Sequence, residues 1–373
     1  MPRLYRTFSC LFSLIKPAGY HSLPLEEDGV LSKSQSRRRG CMHSLIYLVL
    51  GGLAGAMITG FMLNLLFGPF SVESRYNPVG SYQDINSFPI VSTSPHLSAE
   101  SRAIVTSLYS DDFAFAVATL GHSLASHNIT ERRIVMYLPD RLSSRSLCIV
   151  AAAGWEPIAV DYIEPPHHGD GVHRRFADQF TKLNIWGFDK IGVDVLIYLD
   201  ADTIVRNRFD ELWGLPYSFA AVQDVHDPPR GFVVSFNAGV MLLRTSSAVL
   251  ADMRQNLETA SFPRKQAEQA FLNTYFAPQT LRLPYIYNGN LAIKQRAPSV
   301  WASMKNELRI VHYTVRKPFW DFAEGSDWRQ GMQESIDKAM EEGGGNYSEE
   351  VQWWSDVWDD LIGQHFSTLN ACS

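Results

Sequence analysis

The sequence has few cysteines, a modest charged fraction and no surplus of basic residues, and each shortage excludes a class of protein. Only 4 of the 373 residues are cysteines, with no CxxC pair, which excludes a disulfide-rich scaffold and a zinc ribbon. Charged residues make up 19% and hydrophobic residues 46%, which is typical of a globular protein and excludes a disordered or collagen-like one. The net charge of −6 argues against a partner made of nucleic acid.

The charges that are present predict a membrane anchor. Residues 1–43 carry seven Lys or Arg against three Asp or Glu and form a basic tail, whereas the rest of the chain is acidic. Residues 44–67 follow without a charged side chain, and as a helix they would cover about 36 Å, enough for the roughly 30 Å core of a bilayer. Because three arginines directly precede this span, we expect a cytosolic N terminus and a type II signal-anchor. The body of the chain would then lie in the lumen of the Golgi or another secretory compartment.

Three further expectations follow from this topology. Residues 68–100 are rich in Ser, Pro, Asn and Gly and are predicted to form a stem. Gly51-xxx-Gly55 permits close helix contact, so the anchor either forms a homodimer or simply has the small residues common in membrane helices. Sequons at Asn128 and Asn346 fall in the lumenal part, where glycosylation enzymes would meet them.

Apolar runs alternate with helical patterns from residue 101 onward. Strands are predicted at 102–109, 133–138, 156–161 and 194–200, and helices at 112–126, 143–153 and 177–187. This alternation is typical of an α/β fold whose largely parallel sheet is covered on both faces. Ligands of such sheets bind beyond the carboxyl ends of the strands, so the residues that follow each strand are the candidates for a site.

The strongest candidate follows the last of these strands. Asp200 and Asp202 flank Ala201 at the end of an apolar run, and strand alternation would point both carboxylates to one side. Carboxylates suit a hard cation such as Mg²⁺ or Mn²⁺, particularly one shared with phosphates. A diphosphate leaving group needs this cation because negative charge accumulates as its bond breaks. A solvated turn is the alternative for an isolated Asp-x-Asp.

Eight stretches make the context more specific than this triplet. They are Ile104–Tyr109, Leu120–Leu124, Thr181–Trp186, Tyr198–Asp202, Phe236–Val240, Glu268–Asn273, Leu283–Asn288 and Val311–Pro318. In content and order they resemble glycosyltransferase family 8, the glycogenin-like enzymes. The resemblance implies a Rossmann-like GT-A fold with a mixed, largely parallel sheet, a catalytic domain at 101–325 and a UDP-sugar donor. It also implies Mn²⁺, with Mg²⁺ as the alternative, and transfer that retains the anomeric configuration.

The resemblance further implies roles for single side chains. Asp200, Asp202 and His312 resemble the metal ligands, and Lys317 resembles the lysine that reaches the diphosphate. Lys182 resembles a residue that contacts phosphate or the donor sugar. Alternatively, Lys182 is a solvated helix residue, and His312 is a hydrogen-bonded histidine of the core. Arg174 or Arg175 would assist Lys182 in this contact. Ser107 and Tyr109 would contact uracil and ribose, and Ala201 would contact the nucleotide. The transferred sugar would be contacted by Asp224, Asn237, Glu268 and Gln269. Asn237 has the alternative of a turn residue.

Three departures from the family pattern qualify these roles. Glu268 stands where the family usually has Asp, one methylene shorter. The segment around Lys317 is one residue shorter than in glycogenin and lacks its glycine. No tyrosine follows Asn288 where glycogenin carries its self-glucosylated one, which favours an external glycan or glycoconjugate acceptor over a self-primed reaction.

The C-terminal residues 326–373 lie beyond the resemblance. A tryptophan-rich amphipathic helix is predicted to begin at Ser348 and to pack on the catalytic domain, with an acceptor-sugar groove as the alternative role of its aromatics. A function of a different class is a non-catalytic, membrane-anchored sugar- or nucleotide-binding partner of an active transferase. The acidic pair, His312 and Lys317 favour the enzyme, because a simple binding protein does not need to neutralise a diphosphate.

Overall fold

The computed structural model describes residues 85, 86, 88, 98–225, 232–276, 279–319 and 327–372. All of them belong to one compact unit, Tyr76–Ser373. The predicted basic tail, anchor, dimer contact and nearly all of the stem lie outside the described residues. Within the part that is described, no helix is both long and apolar enough to cross a bilayer.

Ten strands form two sheets among the described residues. They are β1 (Arg102–Leu108), β2 (Arg132–Tyr137), β3 (Glu156–Ala159), β4 (Val195–Leu199), β5 (Thr203–Val205), β6 (Phe219–Val225), β7 (Phe232–Arg244), β8 (Leu281–Leu283), β9 (Gly289–Asn290) and β10 (Ile310–His312). Seven of them form the central sheet in the order β3-β2-β1-β4-β7-β6-β8, and β5, β10 and β9 form a small second sheet. In the central sheet β7 alone runs antiparallel to its neighbours. The predicted α/β fold with a mixed, mostly parallel sheet is confirmed.

Helices cover both faces of the central sheet. They are α1 (Ala114–Ser126), α2 (Ser144–Ala152), α3 (Ser247–Leu257), α4 (Ala267–Phe276), α5 (Leu291–Arg296), α6 (Pro298–Met304), α7 (Trp328–Glu341) and α8 (Ser348–Asn370). Side chains of the central strands alternate between two apolar cores: Ile104 and Ile197 join α1, α2 and α8, whereas Val105 and Leu196 join α3 and α4. Both strand faces are therefore buried, which is why these strands read as unbroken apolar runs.

One predicted helix differs in kind from the observed structure. The segment predicted as a helix at 177–187 forms consecutive 3₁₀ turns over Arg174–Ile191 and ends at Gly192, whose φ is +77°. The other predicted elements shift by one or two residues at their ends. Ser143, for example, caps α2 by accepting a hydrogen bond from Ser146 N rather than lying inside the helix, because a serine side chain satisfies a free amide at a helix start.

The two C-terminal helices pack on the face that carries α1 and α2. Trp354 and Trp358 are buried and lie 5.8 Å apart, and Trp358 packs edge-to-face on Phe115 of α1. A disulfide between Cys148 and Cys372 ties α2 to the end of α8. The structure thus gives these two tryptophans a packing role. The disulfide was not expected from the low cysteine count.

Candidate active site

The Asp-Ala-Asp triplet lies in a turn between β4 and β5 and not on a strand. Asp200 N donates to Gly239 O on β7 over 2.8 Å, and Thr203 N donates to Asp200 O over 3.1 Å. The expectation that strand alternation aligns the two carboxylates is therefore wrong, because β4 ends at Leu199. The turn brings the carboxylates together instead. Ala201, between them, packs against the apolar core.

The small second sheet delivers His312 to this turn. β5 directly follows Asp202, and β10 pairs with it antiparallel so that His312 lies opposite Thr203. Its Nε2 atom lies 3.1 Å from Asp202 Oδ1 and 3.8 Å from Asp200 Oδ2. Gly239 makes room for the ring, since a Cβ atom there would lie 2.2 Å from His312 Cε1.

These three residues form a set that a metal ion fits. One ligand atom from each lies within 4.8 Å of the others. Adjacent ligand atoms of one octahedral cation are about 3 Å apart when each metal–ligand bond is about 2.1 Å. The separation of 3.1 Å between His312 Nε2 and Asp202 Oδ1 matches this value. Two carboxylates and an imidazole suit Mn²⁺ better than Mg²⁺. The fold thus brings the three predicted ligands together.

Lys317 lies beside the acidic pair. Its ammonium group forms an ion pair with Asp202 Oδ2 and donates to Tyr313 O over 3.1 Å. Burial opposes ionisation of Asp202, but the positive charge of Lys317 outweighs it and holds the pKa of Asp202 well below its usual range. Asp202 therefore stays a carboxylate at neutral pH.

Lys182 is buried in the floor of the site and is not a solvated helix residue. Its ammonium lies 3.0 Å from Asp200 Oδ1 and 2.9 Å from Glu268 Oε1, and only 1% of the residue is exposed. Burial disfavours its charge, but the two carboxylates outweigh this and raise the pKa of Lys182 above its usual value. The lysine therefore stays charged and fixes one oxygen of Asp200, leaving the other facing His312.

Three of the four side chains predicted to contact the transferred sugar, Asp224, Asn237 and Gln269, form one hydrogen-bonded group, whereas Glu268 pairs with Lys182. Gln269 on α4 donates to Asp224 Oδ2 over 2.9 Å and accepts from Ala238 N over 3.0 Å. Asn237 Oδ1 accepts from Gly239 N over 3.0 Å, and Asn237 Nδ2 faces Asp224 Oδ1 at 3.5 Å. The end of β6, the middle of β7 and the start of α4 thus place polar groups beside the metal-ligand set.

The end of β1 connects to the same turn through a tyrosine. Ser107 Oγ is hydrogen-bonded to Tyr198 OH over 2.7 Å, and this hydroxyl donates to Asp200 Oδ1 over 2.9 Å. Tyr109 is partly buried, which raises the pKa of its phenol. Arg174 and Arg175 are exposed at the start of the 3₁₀ run, where Arg175 lies over the ring of Phe176.

Sequence reasoning assigned no role to Asn288. Its Oδ1 atom lies 3.1 Å from His312 Nδ1, and its Nδ2 donates to Asn237 Oδ1 over 3.0 Å. It is 1% exposed and ends one of the eight family-like stretches. Its place at the end of a family-like stretch could have indicated a functional role. The sequence could not indicate its partner, because His312 lies 24 residues further along the chain.

Comparison with known proteins supports the resemblance. The model of the Glycosyl transferase family 8 matches residues 105–323. The chain is 28% identical over 245 residues to inositol phosphorylceramide glucuronosyltransferase 1 of Arabidopsis thaliana, covering 59% of this chain and 42% of that protein. It is also 28% identical over 235 residues to glycogenin-1 of Mus musculus, covering 59% of this chain and 66% of the relative.

A solved structure is similar at lower identity. The glycosyltransferase GlyE of Streptococcus pneumoniae is 20% identical with a TM-score of 0.44, over 70% of this chain and 64% of that one. The chain spans less than two thirds of the length of the two curated relatives. The family model, in contrast, covers more than half of this chain. The protein belongs to glycosyltransferase family 8.

Proposed function

We propose that the protein is a retaining glycosyltransferase that moves a sugar from a UDP-sugar to an external glycan or glycoconjugate. The observation that carries the proposal is the convergence of Asp200, Asp202 and His312 from two distant segments, with Lys317 beside them. A carboxylate pair, an imidazole and an ammonium together match a metal-bound diphosphate, and their clustering in a family 8 chain favours an enzyme over a simple binding protein.

Asp200, Asp202 and His312 would hold Mn²⁺, with Mg²⁺ as the weaker candidate, and the ion would neutralise the leaving diphosphate. Lys182 keeps Asp200 in place from below. Lys317 pairs with Asp202, and it would supply a second positive charge to the phosphates. Each such contact in a desolvated site is typically worth about 3–4 kcal/mol of barrier lowering.

The polar group of Asp224, Asn237 and Gln269 would orient the transferred sugar beside the diphosphate. Retention follows if the acceptor hydroxyl attacks from the face that the diphosphate leaves, so that no strong nucleophile is required. Glu268 does not point freely into this group, because Lys182 holds it. We therefore assign Glu268 to positioning rather than to direct attack on the sugar.

Mn²⁺-dependent release of UDP tests this proposal. The purified protein would be offered UDP-glucose, UDP-galactose, UDP-N-acetylglucosamine, UDP-xylose and UDP-glucuronate, the last because the Arabidopsis relative is named a glucuronosyltransferase. We expect one donor to be turned over, Asp200→Ala to lose about 100-fold or more of the rate, and Glu268→Asp to lose much less. The absence of UDP release with every donor would refute the enzyme and favour the sugar- or nucleotide-binding partner.

We also propose that the protein is a type II membrane protein of the Golgi or a related compartment, anchored through residues 44–67. The Cys148–Cys372 disulfide supports a lumenal body, because disulfides persist in oxidising compartments. Asn128 and Asn346 are both exposed and therefore accessible to glycosylation. Asn128→Gln and Asn346→Gln should each remove one glycan from the protein expressed in secretory cells. A wild-type protein that an endoglycosidase leaves unchanged in mobility would contradict the proposal.

A further inference from the structure

We propose that Asn288, together with Asn237, is a positioning residue that sets the protonation pattern of the His312 ring and so makes Nε2 available to the metal ion. The inference rests on the proposed function, since it concerns the same metal site. Asn288 itself would contact neither substrate nor metal and would act through His312.

The relay begins at a backbone amide whose direction is fixed. Gly239 N is a hydrogen-bond donor only, and it lies 3.0 Å from Asn237 Oδ1. The amide of Asn237 must therefore present its oxygen here, because its NH₂ group would place donor against donor. The orientation of this side chain follows from the backbone of β7.

The next step transmits this orientation to Asn288. Asn237 Oδ1 lies 3.0 Å from the Asn288 amide, and an oxygen has to meet an NH₂ group there. Asn288 Nδ2 therefore faces Asn237, and Asn288 Oδ1 faces His312. Both side-chain orientations are thus settled by the single N–H of Gly239.

The last step reaches the ring. Asn288 Oδ1 accepts only, so His312 Nδ1, 3.1 Å away, has to carry the hydrogen. In the neutral ring Nε2 then has a free lone pair. This lone pair faces Asp202 Oδ1 at 3.1 Å and Asp200 Oδ2 at 3.8 Å, an arrangement that repels unless a cation lies between them. The relay therefore prepares three electron-pair donors for one ion.

Burial makes the relay rigid. Asn288 is 1% exposed and His312 is 3% exposed, so water does not compete for these hydrogen bonds. Both lone pairs of Asn237 Oδ1 are used, one by Gly239 N and one by Asn288 Nδ2. The oxygen of Asn237 is therefore committed to the relay, and any contact with a sugar would be left to its Nδ2.

Mn²⁺ affinity of the purified full chain, measured by electron paramagnetic resonance with saturating UDP and no sugar, tests the relay without using activity. Asn288→Leu should weaken Mn²⁺ binding about 10–100-fold, as loss of a partner of a ligating histidine typically does. Asn288→Asp should lose less affinity than Asn288→Leu, because one carboxylate oxygen still accepts from His312 Nδ1, although the other oxygen meets the acceptor Asn237 Oδ1. Asn237→Leu should also weaken binding, although UDP lacks the transferred sugar that Asn237 would contact.

The matched control is Asn207→Leu, which removes a hydrogen bond to Leu308 O without a contact to the site. It should bind Mn²⁺ as the wild type does. Wild-type affinity in Asn288→Leu, or equal loss in Asn288→Leu and Asn288→Asp, would overturn the relay. If Asn288→Leu does not fold, Asn237→Leu decides, and its wild-type affinity would overturn the relay as well. A wild-type chain that binds no Mn²⁺ with UDP would instead refute the proposed function.

Discussion

Replacement of Lys182 by methionine tests whether the floor of the site is a buried ion triad. The substitution keeps most of the side-chain volume and removes the ammonium that lies 3.0 Å from Asp200 Oδ1 and 2.9 Å from Glu268 Oε1. Glu268 is 5% exposed and would be left without a cation. We therefore expect the substitution to lower the free energy of unfolding strongly.

The distances give the size of the effect. Two unit charges about 3 Å apart attract by about 5–6 kcal/mol at an effective dielectric constant of about 20. The cost of burying the charges offsets most of this attraction, but it is not recovered when only one partner is removed. Loss of the lysine alone should therefore cost about 3–5 kcal/mol.

A double-mutant cycle isolates the interaction. Lys182→Met, Glu268→Leu and the double variant would be unfolded in urea, with the exposed Lys190→Met of the same 3₁₀ run as the control. We expect the double variant to cost about 2 kcal/mol less than the sum of the single variants, because no unpaired Glu268 remains. Additivity within about 0.5 kcal/mol would refute the triad. A loss in Lys190→Met as large as that in Lys182→Met would refute it too.

Three further predictions concern other parts of the molecule. Gly239→Ala should abolish Mn²⁺ binding in the same resonance assay, because its methyl would lie 2.2 Å from the imidazole; unchanged binding would contradict the geometry. Cys148→Ser should lower the free energy of unfolding by about 2–5 kcal/mol, since it opens the link to Cys372 across 224 positions, and equal urea midpoints would contradict this. Asp202 has a lowered pKa, so its contribution to stability is present above about pH 3.9 and is lost as pH falls through its folded pKa. The stability difference between wild type and Asp202→Asn, measured in urea, should therefore shrink progressively in acid; a constant difference would refute it.

The sequence was sufficient for the sheet because its strands are buried on both faces. Val195–Leu199 is apolar at every position, and such a run predicts a central strand whichever way its side chains point. The turn that follows was harder to predict, because the spacing of Asp200 and Asp202 fits the alternation of strand side chains although β4 already ends at Leu199. Asp200 and Asp202 were recognised by their chemistry, and only the structure shows that a turn aligns them.

The local sequence pattern does not predict contacts between segments that are far apart in the chain. β5 and β10 have three residues each, too few to show a period, and their pairing places His312 beside Asp202. The acidic residues nearest to Lys182 in the sequence, Asp178 and Asp189, lie four and seven positions away, so nothing local indicates a counterion for a buried lysine. Its two counterions come from the turn after β4 and from α4.

The disulfide, in contrast, could have been predicted from the sequence. Four cysteines allow three pairings. The predicted topology places Cys10 and Cys41 in the cytosolic tail and leaves Cys148 and Cys372 in the lumen. The topology and the cysteine count together single out the observed bond, whereas the count alone only excludes a disulfide scaffold.

The position of Lys317 links the predicted and the observed site. Family resemblance implies that this lysine reaches the diphosphate, yet its ammonium here pairs with Asp202, a proposed metal ligand. The two positions are compatible, because Asp202 offers Oδ2 to the lysine while Oδ1 faces His312. Each acidic residue thus has its own lysine: Lys317 pairs with Asp202, and the buried Lys182 pairs with Asp200. A lysine that is 22% exposed on its side chain can turn toward an arriving phosphate, and a lysine that is 2% exposed cannot. We therefore expect Lys317 to take part in donor binding and Lys182 to support the proposed metal ligands.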